Sequence, residues 1–180
     1  MKDKDFIINL IENGYECDYL DFKAKQYSKE KYESLLKDIM AMANSKYEGD
    51  KYIIVGIKDK PSGERDIIGI NSEDFIDSSN YQQVVLNNIE PEVSFDYFPF
   101  EYKEKLLGVF KIYGNQDRPY MLKKKYNKLN EGLCLVRKGS QQSIAVRKDF
   151  DEFYLAKEKF EVKIMDPFLQ QFMIKKGVVD

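Results

Sequence analysis

Between Tyr52 and Ile57 the chain reads Tyr-Ile-Ile-Val-Gly-Ile, a run with no charge to offer water on either side. Successive strand residues point to opposite faces, so such a run needs apolar cover above and below. The pattern predicts a buried central strand with helices packed on its sheet. One helix lies just upstream: Tyr32, Leu35, Leu36, Ile39, Met40 and Ala43 recur at helical spacing after Ser28, a candidate N-cap.

The remaining elements are shorter. Phe6 to Ile11 reads as a helix closed by Gly14, and Tyr19 to Phe22 as a strand. The loop Lys58 to Arg65 holds Pro61, Ser62 and Gly63 and must turn. Ser79 or Asn80 caps a second helix through Ile89, stopped at Pro91. Val93 to Phe98 and Leu106 to Ile112 read as hairpin strands joined near Tyr102 to Glu104. Leu133 to Val136 forms another strand before a turn at Gly139, and Phe150 to Phe160 a final helix. One domain over residues 1–160 is expected. A segment over 161–180, apolar at Phe168, Leu169 and Phe172, is expected to dock on the domain or pair two copies as a homodimer.

Several functional classes drop out on residue types alone. There is no histidine, and Cys17 and Cys134 cannot form a disulfide framework or a zinc site by themselves. No zinc is expected, and histidine-based acid–base chemistry is excluded. No glycine-rich phosphate loop with its lysine is present, so no nucleotide cofactor is expected. Thirteen Tyr and twelve Phe argue for a packed interior rather than disorder. The absence of a secretion signal or a run long enough for a bilayer leads to the expectation of a cytoplasmic protein with no membrane partner.

The acids carry the clearest chemistry. Glu16 and Asp21 flank the first strand, and Asp59 follows the central run. If those strands are neighbours, the acids share a sheet rim. Three converging carboxylates without histidine suit magnesium or manganese, which would polarise a phosphate and activate water. The same acids fit solvated turns, and Asp59 fits an Asx turn. Lys23, two residues beyond Asp21, either offsets phosphate charge or pairs with Asp21. Lys58 reads as surface charge.

The basic residues are unevenly spread. From Arg118 to Lys148 there are nine Lys or Arg against Glu131 alone, a local +8 in a chain of net charge −2. Arg137 and Lys138 precede the Gly139-Ser140 turn, whose backbone could present amides to an anion. Lys123, Lys124 and Lys125 lie between Tyr120 and Tyr126, rings able to stack on bases or to fill a core. Arg137, Lys138, Ser140 and the three lysines are therefore the candidate nucleic-acid contacts, while solvated strand edges explain the same charges without a ligand.

Three segments together resemble a known family: Glu16-Cys-Asp-Tyr-Leu-Asp21-Phe22-Lys23, then Asp38-Ile-Met-Ala41-Met-Ala43-Asn44, then Ile54-Val-Gly56-Ile57-Lys-Asp59. With Gly69-Ile70 and Gly132-Leu-Cys-Leu-Val136-Arg137-Lys-Gly139-Ser140, they are similar to the Schlafen AlbA-like (AlbA_2) domain over roughly residues 10 to 155. Asp21 stands where that family usually has Glu, and 44–50 replaces its Asn-x-x-Gly-Gly turn. The resemblance implies an α+β fold, a compact mixed α/β domain with a small mixed sheet and packed helices. It also implies RNA or DNA as partner, with Glu16, Asp21 and Asp59 as catalytic metal ligands. The expected function is a metal-dependent endoribonuclease acting on structured RNA such as tRNA, with Lys23 assisting. The alternative is a non-catalytic DNA- or RNA-binding module of a regulator.

Overall fold

A computed structural model describes residues 2–60, 64–114, 117–164, 171, 174 and 175. Helix α1 (Lys2–Asn13) leads into β1 (Leu20–Lys23), a 3-10 turn (Lys29–Lys31) and α2 (Tyr32–Ala43). Then come β2 (Lys51–Val55), β3 (Ile57–Asp59), β4 (Arg65–Ile67), α3 (Ser78–Asn88) and β5 (Ile89–Glu90). The chain continues through β6 (Phe95–Tyr102), β7 (Lys105–Ile112), β8 (Met121–Leu122), β9 (Leu135–Lys138), β10 (Gln141–Ile144) and α4 (Arg147–Ile164). The fold is a compact mixed α/β domain.

The main sheet has the order β1-β2-β7-β6, with β1 parallel to β2 and the other neighbours antiparallel. Its two faces explain the uncharged run. Ile53 and Val55 face a core built with Leu35, Leu36, Ile39 and Met40 of α2 and Tyr81 and Val85 of α3. Tyr52 and Ile54 face the opposite core, formed with Ile7, Leu10 and Ile11 of α1 and Leu20 and Phe22 of β1. Each fully buried aliphatic side chain contributes roughly 1.5–3 kcal/mol, so both helical layers hold the sheet.

The strand ends before the predicted boundary. Gly56 has φ +95°, and its carbonyl accepts from both Ile68 and Gly69 amides, at 2.8 and 3.0 Å. That turn redirects the chain into the β3–β4 hairpin, whose end carries Asp59. Other boundaries move for local reasons. Asp77, not Ser79 or Asn80, caps α3, its Oδ1 accepting from the Ser79 amide at 2.8 Å. Ser28 precedes the 3-10 turn instead of capping α2.

The second tie is Asn44, fully buried at the end of α2. Its Nδ2 donates to the Tyr120 and Leu135 carbonyls at 2.7 and 2.8 Å, and its Oδ1 accepts from the Tyr120 amide at 2.8 Å. One amide side chain thereby fixes the segment before β8 and the start of β9 against the helix. The expected strand at Leu133 to Val136 lies slightly later, pairs with β10, and turns at Gly139 with φ +61°. Phe168, Leu169 and Phe172, proposed to dock or dimerise, lie outside the described residues.

Ile54→Ala should destabilise the domain by about 2–5 kcal/mol, because it empties space between α1 and the sheet. Leu86→Ala, at a side chain half exposed on α3, should change stability by no more than about 0.5 kcal/mol. Urea unfolding midpoints of the two variants check the assignment of the core.

Candidate functional site

Alternation along β1 sends Leu20 and Phe22 to the α1 side and Asp21 and Lys23 to the α2 side. Asp21 is 3% exposed and meets an equally buried cation, Arg137 from β9. The Arg137 Nη2 donates to Asp21 Oδ1 at 3.0 Å and to the Leu20 carbonyl at 3.3 Å, while Nε donates to the Cys17 carbonyl at 2.7 Å. Lys23 Nζ lies 2.6 Å from Asp21 Oδ2 and 3.5 Å from Asp38 Oδ2. Tyr27 donates to Asp38 at 2.6 Å, and Gln142 of β10 donates to its other oxygen. Two buried acids and two cations thus neutralise one another. Burial works to lower the Lys23 pKa, but Asp38 and Asp21 together hold it above the ordinary lysine value.

Glu16 and Asp59 line another cleft of about 430 Å³, with Phe22, Ile57, Lys58 and Lys60. Glu16 Oε1 accepts from the Phe22 amide at 3.3 Å, and burial followed by the charge of Asp21 raises its pKa. Asp59 pairs with Arg65 Nε at 3.2 Å, and the same guanidinium holds the Ile11 and Gly14 carbonyls. The sheet rim therefore brings Glu16 and Asp59 together, with Asp21 close enough to act on Glu16 through its field. Asp21 has both oxygens directed at cations. No group of three or more Asp, Glu, Cys or His positioned to hold a metal ion occurs among the described residues.

The basic strip is dispersed by folding. Arg137 points inward rather than toward a ligand. Lys138 Nζ lies 2.8 Å from Asp149 Oδ2, and the same oxygen accepts from the Val146 amide at the start of α4. Burial opposes the Asp149 charge, but Lys138 and that amide hold its pKa below the usual value. The Gly139 amide donates to Asp18. Ser140 is exposed on the turn. Lys123 donates to the Leu86 carbonyl, while Lys124 and Lys125 are exposed. Tyr120 is buried in the core, and Tyr126 packs against that core, so neither offers a free ring.

A different cationic surface emerges in their place. Lys23, Lys25, Lys31 and Lys37 line a cleft of about 380 Å³ with Ser34 and Gln142, and Asp38 is its acidic member. Lys25, Lys31 and Lys37 make no ion pair among the described residues. They come from the bend after β1, the 3-10 turn and α2, and Glu30, Glu33 and Asp38 offset most of the positive charge in that stretch of sequence. One signal was available in the chain: Ser34, Lys37 and Asp38 share a helix face at i, i+3 and i+4.

Residues 16–146 match the protein family described as Schlafen, AlbA_2. Among solved structures, the chain is similar to the N-terminal domain of a protein related to the ATP-dependent DNA helicase RecG, from Nitrosomonas europaea. That NMR structure is 15% identical, with a TM-score of 0.44 over 80% of this chain and 91% of the other. No curated protein matches the chain.

Asp21→Asn should cost about 3–5 kcal/mol, because it strands Arg137 in the interior. Asp59→Asn breaks a pair nearer the surface and should cost at most about 1 kcal/mol. Denaturant unfolding of both variants separates the roles. The Glu16 carboxyl, raised above 4.5 in the fold, contributes stability below that value which is lost as pH rises through its folded pKa. Glu16→Gln should remove this dependence and be the more stable protein at neutral pH, as thermal unfolding over an acid-to-neutral series would register.

Proposed function

This chain belongs to the Schlafen AlbA_2 family, and from that premise we propose that it is a nucleic-acid-binding module that grips RNA or DNA by its phosphates without cleaving it. One observation carries this: the cleft of Lys23, Lys25, Lys31 and Lys37 beside a carboxylate cluster whose charge is already neutralised. Lysines on flexible stems act as point charges, suited to tracking a backbone rather than reading base edges. Partly exposed, they keep their hydration until phosphate displaces counterions, so binding should weaken steeply with salt.

The neighbouring network supports the cleft mechanically. Lys23 is held by Asp21 and Asp38, and Asp38 is held by Tyr27 and Gln142. The floor is therefore rigid, while Lys25, Lys31 and Lys37 supply uncommitted charge. The expected RNA cleavage would instead need an ion at Glu16, Asp21 and Asp59, and the Arg137 and Lys23 contacts compete for the central carboxylate.

The triple variant Lys25→Ala, Lys31→Ala, Lys37→Ala should reduce the slope of log affinity against log salt by up to about 2.7 for duplex DNA or about 2.1 for single strands. Replacing Lys123, Lys124 and Lys125 together should reduce it less. Fluorescence anisotropy on tRNA and duplex DNA makes the measurement, and an unchanged slope in the cleft variant overturns the assignment. In parallel, tRNA incubated with magnesium or manganese should stay intact. Cleavage that disappears in Glu16→Gln and Asp59→Asn would restore the endoribonuclease.

A further inference from the structure

Away from the lysine cleft, the start of β2 holds a second arrangement of positive charge. Lys51 is 4% exposed and Arg118 is 7% exposed. Arg118 reaches across to the end of α2, where its Nη1 donates to the Ser45 carbonyl at 2.8 Å. Its Nε is buried with no hydrogen-bond partner, and its guanidinium carbon lies 5.9 Å from the Phe153 ring centre. Neither cation forms an ion pair among the described residues.

The surrounding acids are otherwise engaged. Asp50 lies 3.1 Å from Lys111, Asp117 lies 2.9 Å from Lys157, and Glu152 pairs with Lys46. Glu48, exposed on the loop between Ser45 and Lys51, acts on Arg118 only through space. Burial, then the positive charge of Arg118, pushes Lys51 down to about 8, against the opposing charge of Asp50. Two like charges desolvated together oppose folding, and buried cations in proteins are ordinarily paired.

We propose that Lys51 and Arg118 form a site for a phosphate-type oxyanion, completed by the unpartnered Arg118 Nε and the Lys51 ammonium. A phosphate dianion matches two cations in charge and offers acceptors to both. The group is either inorganic phosphate or the terminal phosphate of a nucleic-acid strand, which share this chemistry. The loop 46–49 between Ser45 and Lys51 is exposed. The site does not use Lys25, Lys31 or Lys37, so it stands or falls separately from the cleft.

The test uses the full chain and inorganic phosphate at constant ionic strength, followed by amide proton–nitrogen NMR. Saturable shifts at Ser45, Lys51 and Arg118 are expected, with affinity falling at least about tenfold, or roughly 1.4 kcal/mol, in Lys51→Met and in Arg118→Met. Phosphate should also raise the melting temperature of wild type more than that of either variant. The variants' melting curves establish that each folds, and the wild-type titration stands if one does not. Absence of saturable shifts in wild type, or equal affinity in the folded variants, overturns the site. A second arm compares 5′-phosphorylated with 5′-hydroxyl oligonucleotide. Tighter binding of the phosphorylated strand, lost in Lys51→Met but kept in the Lys25, Lys31, Lys37 triple variant, identifies a strand end. Equal binding of the two strands, with the phosphate shifts present, identifies the free ion.

Discussion

The contact between Arg137 and Asp21 governs how the two parts of the domain meet. β9 and β10 form their own small sheet, hydrogen-bonded to none of the four main strands. What joins them to β1 is one guanidinium that takes the Asp21 carboxylate and the carbonyls of Cys17 and Leu20. A planar group with several donors can satisfy three acceptors at once, which a lysine at this position could not do in the same geometry. Both partners are out of water, so the pair tolerates no single loss.

That contact also determines which charges remain for a ligand. With Arg137 turned inward, Lys138 on Asp149 and the Gly139 amide on Asp18, the β9–β10 turn spends its positive character within the molecule. Asp21 has one oxygen on Arg137 and the other at Lys23. The cationic surface shifts to the rim formed by the end of β1, the 3-10 turn and α2, where Lys25, Lys31 and Lys37 make no ion pair among the described residues. Local pairing in this protein therefore redistributes charge over distances of a few side chains, and the net value of −2 describes none of its faces.

Asn44 supplies the uncharged counterpart. Its three short hydrogen bonds to backbone hold β8 and β9 on the α2 layer, and burial makes each of those bonds costly to lose. Arg118 lies beside it through Ser45, so the same corner that closes the fold also carries the unpaired cations near Lys51. Structural closure and ligand chemistry share residues there.

Periodicity alone determined the layered architecture: the uncharged run at 52–57 required cover on both sides, and the spacing of Leu35, Leu36, Ile39 and Met40 supplied one layer. The hairpin of β6 and β7 and the turn at Gly139 were equally legible, because strand alternation and turn chemistry are local properties. The break at Gly56 was less so, since a glycine after apolar residues is compatible with a continuing strand until the Ile68 and Gly69 amides are seen to meet its carbonyl. For the site, the chain named the chemical participants, with Glu16, Asp21 and Asp59 read at one sheet rim and Arg137 in a separate basic strip. It did not reveal their partners. Whether a charge meets solvent or an opposite charge depends on residues over a hundred positions away, as Asp21 and Arg137 are, or on lysines gathered from separate elements. Sequence spacing carries the periodicity of each element; only the packing of elements decides which charges cancel.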